Sequence, residues 1–352
     1  MGFLSHSSPT RPRILFLLES AHTASGRLRV LNFLPFIDQE RYQIEIRYIP
    51  NSIFSHAALF QAAARADVVF LHKKLFRPWE IPFFNERGVL VYDFDDMVML
   101  PGREKYQTIR GKDSNRPQRF QKTVSAARII IAGNQYLRIQ TGQEADKTVI
   151  IPTTIDSSDQ PIKKVRRQKE NLVLGWIGTH GNLCYLEALN AVLRHLANEY
   201  TNLSLKIVCD EFIEPAGINT IKKTWRLEDE ATDLVNMDIG LMPLCDDLWT
   251  QGKCGYKILQ YMSAGLPVVA SPVGANTAIV RHGVNGFLAS TEAEWEIYLK
   301  KLLDSPELRR QMGLAGRELV EKEYDLSIWA DAFLEVIDQA VACYFPSCSV
   351  SR

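Results

Sequence analysis

Residues 238–288 limit what this chain can fold into more than any other stretch. A short apolar run, Ile239 to Leu244, ends at Pro243 and an acidic turn. Gly252, Lys253, Cys254 and Gly255 then open an apolar helical pattern over Tyr256–Ser263. Gly265 and Pro267 end that pattern before a second apolar run, Val268–Ala270. Strand, glycine-rich loop, helix and strand in this order are the repeating unit of an α/β domain. A helix that begins at such a loop points its first backbone N–H groups and its positive dipole end outward. A phosphate group fits there, with Lys253 or Lys257 adding charge. An ordinary strand-to-helix turn uses the same residues, so the loop chemistry alone leaves both readings open.

The first half repeats the alternation. Arg13–Leu18, Tyr42–Ile49, Asp67–His72, Val89–Tyr92 and Ile129–Ala132 read as strands, with helical spacing over Leu28–Ile37 and Ser55–Arg65. A parallel sheet with helices on both faces follows. Ligands of such sheets bind beyond the carboxyl ends of the strands, which points to the loops after Leu18, His72, Tyr92 and Ala132. With 352 residues, two cores are expected. The proline-, serine- and charge-rich segment 152–170 marks the boundary between them. Residues 1–151 form the first domain in this reading, 171–325 the second, and 326–352 a closing helix and tail.

Lysine plus arginine and aspartate plus glutamate each total 41, so no net field favours nucleic acid. The six cysteines, at 184, 209, 245, 254, 343 and 348, form no CxxC pair and read as reduced thiols of a cytoplasmic protein. No apolar run is long enough to span a bilayer.

DIGLMPL, GYKILQYMSAGLPVVASPVG and HGVNGFL resemble the donor-binding half of the retaining glycosyltransferases of family 4, the group 1 glycosyl transferases. LGWIGTHGNLCYLEAL resembles the first strand, loop and helix of that half, and SPELRRQMGLAGRELVEKEYDLSIWADAFLEVI its closing helices. The resemblance implies two Rossmann-like domains facing each other across a cleft (GT-B fold), with the last helix crossing back to the first. It further implies transfer of a hexosyl group, with retained configuration and no metal ion or other cofactor, from a UDP- or GDP-linked sugar. The expected acceptor is a glycan or a lipid-linked glycan in cell-surface polysaccharide or glycoconjugate synthesis.

Two departures from the family pattern shape the expected site. The arginine and lysine that the family places after the first strand of the donor domain are missing, and Gly178, Thr179, His180 and Asn182 stand there. The two family glutamates, eight positions apart, align with Gly252 and Gln260. Donor binding is therefore expected from Gly178, Thr179, Asn182, Gly252, Lys253, Cys254, Gly255, Tyr256 and Gln260, with Lys257 stabilising the leaving diphosphate and Trp225 beside the base. Gln260 can still bond a ribose diol. Gly252 has no side chain to hold a sugar hydroxyl, and Asp246, Asp247 and Trp249 are candidates for that role, against a plain surface turn with a packed aromatic. The missing acids also leave room for a non-catalytic nucleotide-sugar-binding protein, and a sugar-nucleotide epimerase uses the same fold.

In the first half, Asp93-Phe94-Asp95-Asp96 follows a strand. Three carboxylates so close suggest a metal site. Because the phosphate features lie in the other half, Asp95 and Asp96 read better as acceptor-side groups, against helix capping and a solvated loop. Gly26 and Arg27 end the first strand's loop, which the resemblance brings to the leaving diphosphate from the opposite domain, making Arg27 a catalytic candidate beside Lys257. Arg27 and Arg29 cannot point the same way from one helix, so at most one reaches the cleft. Residues 103–128 carry many arginines and lysines beside Met97, Val98, Met99 and Leu100, which reads as a solvated face or as a contact with an anionic membrane on its inner side.

Overall fold

The computed structural model describes residues 11–345, apart from 21–22, 51, 53–54, 87, 101–102, 105–107, 110–114, 159 and 164–170. The chain divides into two compact units, one of residues 1–100, 113–151 and 329–352, the other of 101–112 and 152–328. Each is built on a six-stranded parallel sheet.

In the first unit the strands are β1 (Arg13–Leu18), β2 (Gln43–Tyr48), β3 (Val68–His72), β4 (Val89–Phe94), β5 (Ile129–Ala132) and β6 (Thr148–Ile150). Their order is 2-1-3-4-5-6, with every pair parallel. The inner strands β3 and β5 are buried along their whole length, whereas the edge strand β2 alternates with solvent. That contrast is what a sheet covered on both faces requires. The expected helix over Leu28–Ile37 is instead an α-helical turn, Ala24–Arg29, followed by a 3-10 segment, Leu31–Phe36. Pro35 lacks the N–H that a continuous α-helix would use there. The last long helix, Leu326–Tyr344, returns to this unit, where Phe333 stacks on Phe33 at 4.5 Å and leans on Phe70 at 5.5 Å.

In the second unit the strands are β7 (Leu172–Ile177), β8 (Leu203–Cys209), β9 (Asn219–Thr224), β10 (Ile239–Met242), β11 (Val268–Ala270) and β12 (Gly286–Leu288). The order 3-2-1-4-5-6 is that of a dinucleotide-binding sheet. One core cluster joins Leu174, Trp176 and Leu205 to Leu186, Leu193 and Leu302. The other joins Val208, Met242 and Val268 to Ile258, Met262 and Val320. Strands β6 and β12, three residues each, extend the sheets beyond the strands expected from sequence.

Neighbours β7 and β10 pair only at Ile239 with Leu174 and Gly240 with Gly175, and then part. Tyr261, on the helix Tyr256–Ser263, fills the opening. Its hydroxyl accepts from the Ile177 N–H at 3.0 Å and donates to the Leu241 carbonyl at 3.2 Å. The ring fits because Gly240 has no side chain, since a Cβ there would lie 2.3 Å from it. This one residue ties the helix to the point where the strand order reverses, the usual ligand crevice of such sheets.

Candidate functional site

At the carboxyl end of β7, the structure brings together Trp176, the last residue but one of the strand, Gly178 just after it, and Lys257. The Lys257 ammonium lies 4.3 Å from the centre of the Trp176 ring. Gly178 is required beside it, because a Cβ would fall 2.5 Å from Lys257 Nζ and 2.7 Å from the indole. Burial, with Lys253 adding like charge, pulls the Lys257 amine down to about 7 from the usual lysine value of 10.5. No carboxylate acts on it among the described residues. An anion beside this amine would favour its charged form.

The loops around it are shaped by short-range bonds. Gly255 adopts φ 71°, the left-handed region glycine tolerates, and its carbonyl starts the helix by accepting from Ile258. Asn182 donates to Thr179 Oγ1 at 2.9 Å. His180 is tied to Asp210 through its backbone N–H and Nδ1, a contact that outweighs burial and holds the Asp210 carboxyl at about 2. Gln260 is 4% exposed, on the same helix as Lys257. Tyr256 and Trp225 pack against the core cluster that contains Ile258, and Trp225 Nε1 donates to Glu230 at 2.9 Å.

Other expected contacts have local work. Asp247 caps the helix Leu248–Gln251, its Oδ1 accepting from Trp249 and Thr250 at 2.9 Å each, and Thr250 returns a bond to the Asp247 N–H. The surface-turn reading therefore accounts for Asp247, with Trp249 half-buried inside the turn. Gly252 closes the same short helix, and Lys253 and the half-buried thiol Cys254 follow it. None of the five cysteines among the described residues is joined in a disulfide.

The first unit holds a denser charge cluster than the sequence suggested. Ser25 Oγ lies 2.9 Å from His72 Nε2 and donates to Asp95 Oδ2 at 2.7 Å. His72 Nδ1 meets Asp93 Oδ2 at 2.6 Å, and Arg29 also bonds Asp93 and the Ile151 carbonyl. Lys73, held at φ 60°, reaches Asp95 at 3.0 Å and Asp96 at 2.7 Å. Burial pushes Asp93 upward, but Arg29 and His72 outweigh it and hold the carboxyl below its usual value. Lys73 outweighs burial in the same way at Asp95, and the two aspartates raise Lys73 against the pull of burial. In this cluster Asp93 serves Arg29 and His72, while Asp95 and Asp96 share Lys73. Gly26 is buried and Arg27 half-buried in the first turn beside Ser25.

Met97, Val98 and Met99 are 3%, 5% and 8% exposed, so the apolar edge expected beside the basic stretch is core. Arg116 is held by the Val98 carbonyl at 3.0 Å, and the arginine and lysine at 110 and 112 lie outside the described residues. No helix among the described residues is long and apolar enough to cross a membrane.

Residues 171–305 match the family model described as glycosyl transferases group 1. The second unit carries a group 1 glycosyl transferase domain. Glycosyltransferase 1 domain-containing protein 1 of Xenopus tropicalis is 30% identical over 80 residues, 23% of this chain and 23% of that protein, so the match spans under a quarter of the relative's length. Among solved structures, HepE of Anabaena in complex with UDP and glucose is 18% identical, with a TM-score of 0.67 over 94% of this chain and 100% of that one. Sucrose-phosphate synthase from Thermosynechococcus elongatus is 13% identical, with a TM-score of 0.72 over 95% of this chain and 100% of that one. At these identities the likeness is one of fold, and it places the glycosyl transferase domain in a GT-B protein of two Rossmann-like units.

Proposed function

We propose that the protein transfers a hexosyl group from a nucleotide diphosphate sugar to a glycan or lipid-linked acceptor, with retained configuration and without a metal ion. The glycosyl transferase domain holds the donor, and groups on the first unit, Asp95 and Asp96 foremost, receive the acceptor hydroxyl. The observation that carries this reading is Lys257, stacked on Trp176 beside Gly178 at the strand-order reversal of the donor-domain sheet. As the glycosidic bond breaks, charge collects on the leaving diphosphate. A preorganised ammonium and the N-terminal N–H groups of the helix Tyr256–Ser263 stabilise that charge. The HepE structure, with UDP and glucose bound, supports a uridine nucleotide as the first donor to try.

A thermal-shift screen of UDP- and GDP-sugars in the presence of EDTA tests the reading, since a ligand that binds only the folded state raises Tm by mass action. One of these sugars is expected to raise Tm under chelation. A response confined to samples with manganese or magnesium contradicts the metal-free site. Isomerised donor without transfer points to an epimerase.

A further inference from the structure

The buried cluster of the first unit contains more acceptors than a neutral histidine can serve. Ser25 has a single hydroxyl hydrogen and lies within bonding distance of both Asp95 Oδ2, at 2.7 Å, and His72 Nε2, at 2.9 Å. Asp95 is paired through its other oxygen with Lys73 at 3.0 Å and is held in its charged form, so it takes the serine hydrogen. The contact between Ser25 and His72 then needs a hydrogen from the histidine. Nδ1 faces the Asp93 carboxylate at 2.6 Å, which also needs one. The geometry thus calls on both ring nitrogens as donors, the arrangement of an imidazolium. Charge bookkeeping agrees: Arg29, His72 and Lys73 balance Asp93, Asp95 and Asp96, and removing the His72 charge leaves a net negative cluster.

We propose that His72 is a positioning residue: as an imidazolium 1% exposed, it fixes the Ser25 hydroxyl onto Asp95 and so keeps Asp95 a charged, oriented acceptor for a sugar hydroxyl. The sugar-hydroxyl role rests on the acceptor-side reading above; the proton arrangement does not. His72 itself is too buried to touch a substrate. Its partners Asp95, with its side chain 11% exposed, and Ser25, half-buried, are more exposed than it is. If His72 lost its proton, the serine hydrogen would turn to Nε2 and Asp95 Oδ2 would lose its hydroxyl partner, leaving Lys73 at Oδ1 alone to orient the carboxylate.

The test is NMR of the full chain with 15N-labelled histidine at pH 7, the His72 signals being those that vanish in His72→Gln. Both nitrogens are expected to carry protons. In Asp95→Asn the amide can donate to Ser25, freeing the serine hydrogen for Nε2, and the Nε2 proton is expected to be lost. In Ser25→Ala the connection is cut, so adding Asp95→Asn should leave Nε2 unchanged. An unprotonated Nε2 in the wild-type protein overturns the proposal. So does an equal response to Asp95→Asn with and without Ser25, which would make the effect one of field rather than of the serine. If Asp95→Asn does not fold, the wild-type spectrum still decides. Neither donor nor acceptor enters the measurement, so its outcome is separate from that of the thermal-shift screen.

Discussion

Lys257 is unusual among buried lysines in having an aromatic face and a glycine for neighbours and no carboxylate acting on it among the described residues. Its amine titrates near 7, below the ordinary lysine value of 10.5. The unfolded chain therefore binds the extra proton between those values, and this group's contribution to stability rises with pH from about 7 to 10.5 and is lost as pH falls through 7. A bound diphosphate reverses the preference by restoring the charge. UDP binding is thus expected to take up a proton near neutrality and to weaken as pH rises from 6 to 8, read by calorimetry in buffers of different ionisation enthalpy. Affinity and heat that do not depend on pH or buffer would place the diphosphate elsewhere. At saturating donor, Lys257→Ala should lower turnover by roughly a hundredfold, the scale of losing one charge-stabilising group. Gln260→Ala should mainly weaken donor binding, if its amide holds the ribose. Lys257 was legible as a helix-start cation, because glycine spacing and charge are local. Its stacking on Trp176 was not, and neither was the Ser25–His72–Asp93 chain. Those partners come from different elements, with Ser25 and His72 47 positions apart and His72 and Asp93 21 apart. Burial and long sequence separation leave such pairs no spacing signature.

At the scale of elements, the helix Tyr256–Ser263 depends on its fit to β7 and β10. Tyr261→Phe removes the hydroxyl shared by Ile177 and Leu241, leaving two buried backbone groups unpaired at a cost of about 1–3 kcal/mol. Gly240→Ala drives a Cβ into the Tyr261 ring and should cost about 1–3 kcal/mol or more. Both variants should lower Tm and also weaken UDP binding, because the helix that carries Lys257 shifts with the ring. A lower Tm with unchanged UDP affinity would uncouple the tyrosine wedge from the site. The inner strands were readable because parallel strands buried on both faces are continuous apolar runs. The outermost strands Thr148–Ile150 and Gly286–Leu288 are too short for a pattern to form and owe their conformation to the neighbour they pair with. The apolar edge expected beside the basic stretch was misread for a related reason. An apolar run beside charges looks the same in sequence whether it faces lipid or core, and Met97, Val98 and Met99 face the core.

For the molecule as a whole, the chain's return matters most. The helix Leu326–Tyr344 belongs from Trp329 onward to the first unit, although the second unit lies between them in sequence. Phe333 is buried against Phe33 and Phe70 there, and Asp338 bonds Tyr42. A chain ending at residue 325 should leave the first unit with an exposed aromatic core, seen as faster proteolysis within 11–151 than within 171–305. Equal resistance would make the helix dispensable. In the proposed function the donor lies on the glycosyl transferase domain, and its placement rests on one cation. Calorimetric titration of UDP into the wild-type protein and Lys257→Ala at pH 6.5 tests that most directly. Removing a charge-assisted hydrogen bond worth about 1.5–3 kcal/mol predicts affinity about 10- to 100-fold weaker in a variant that still folds. Equal affinity in the two proteins would contradict the placement of the donor diphosphate at Lys257.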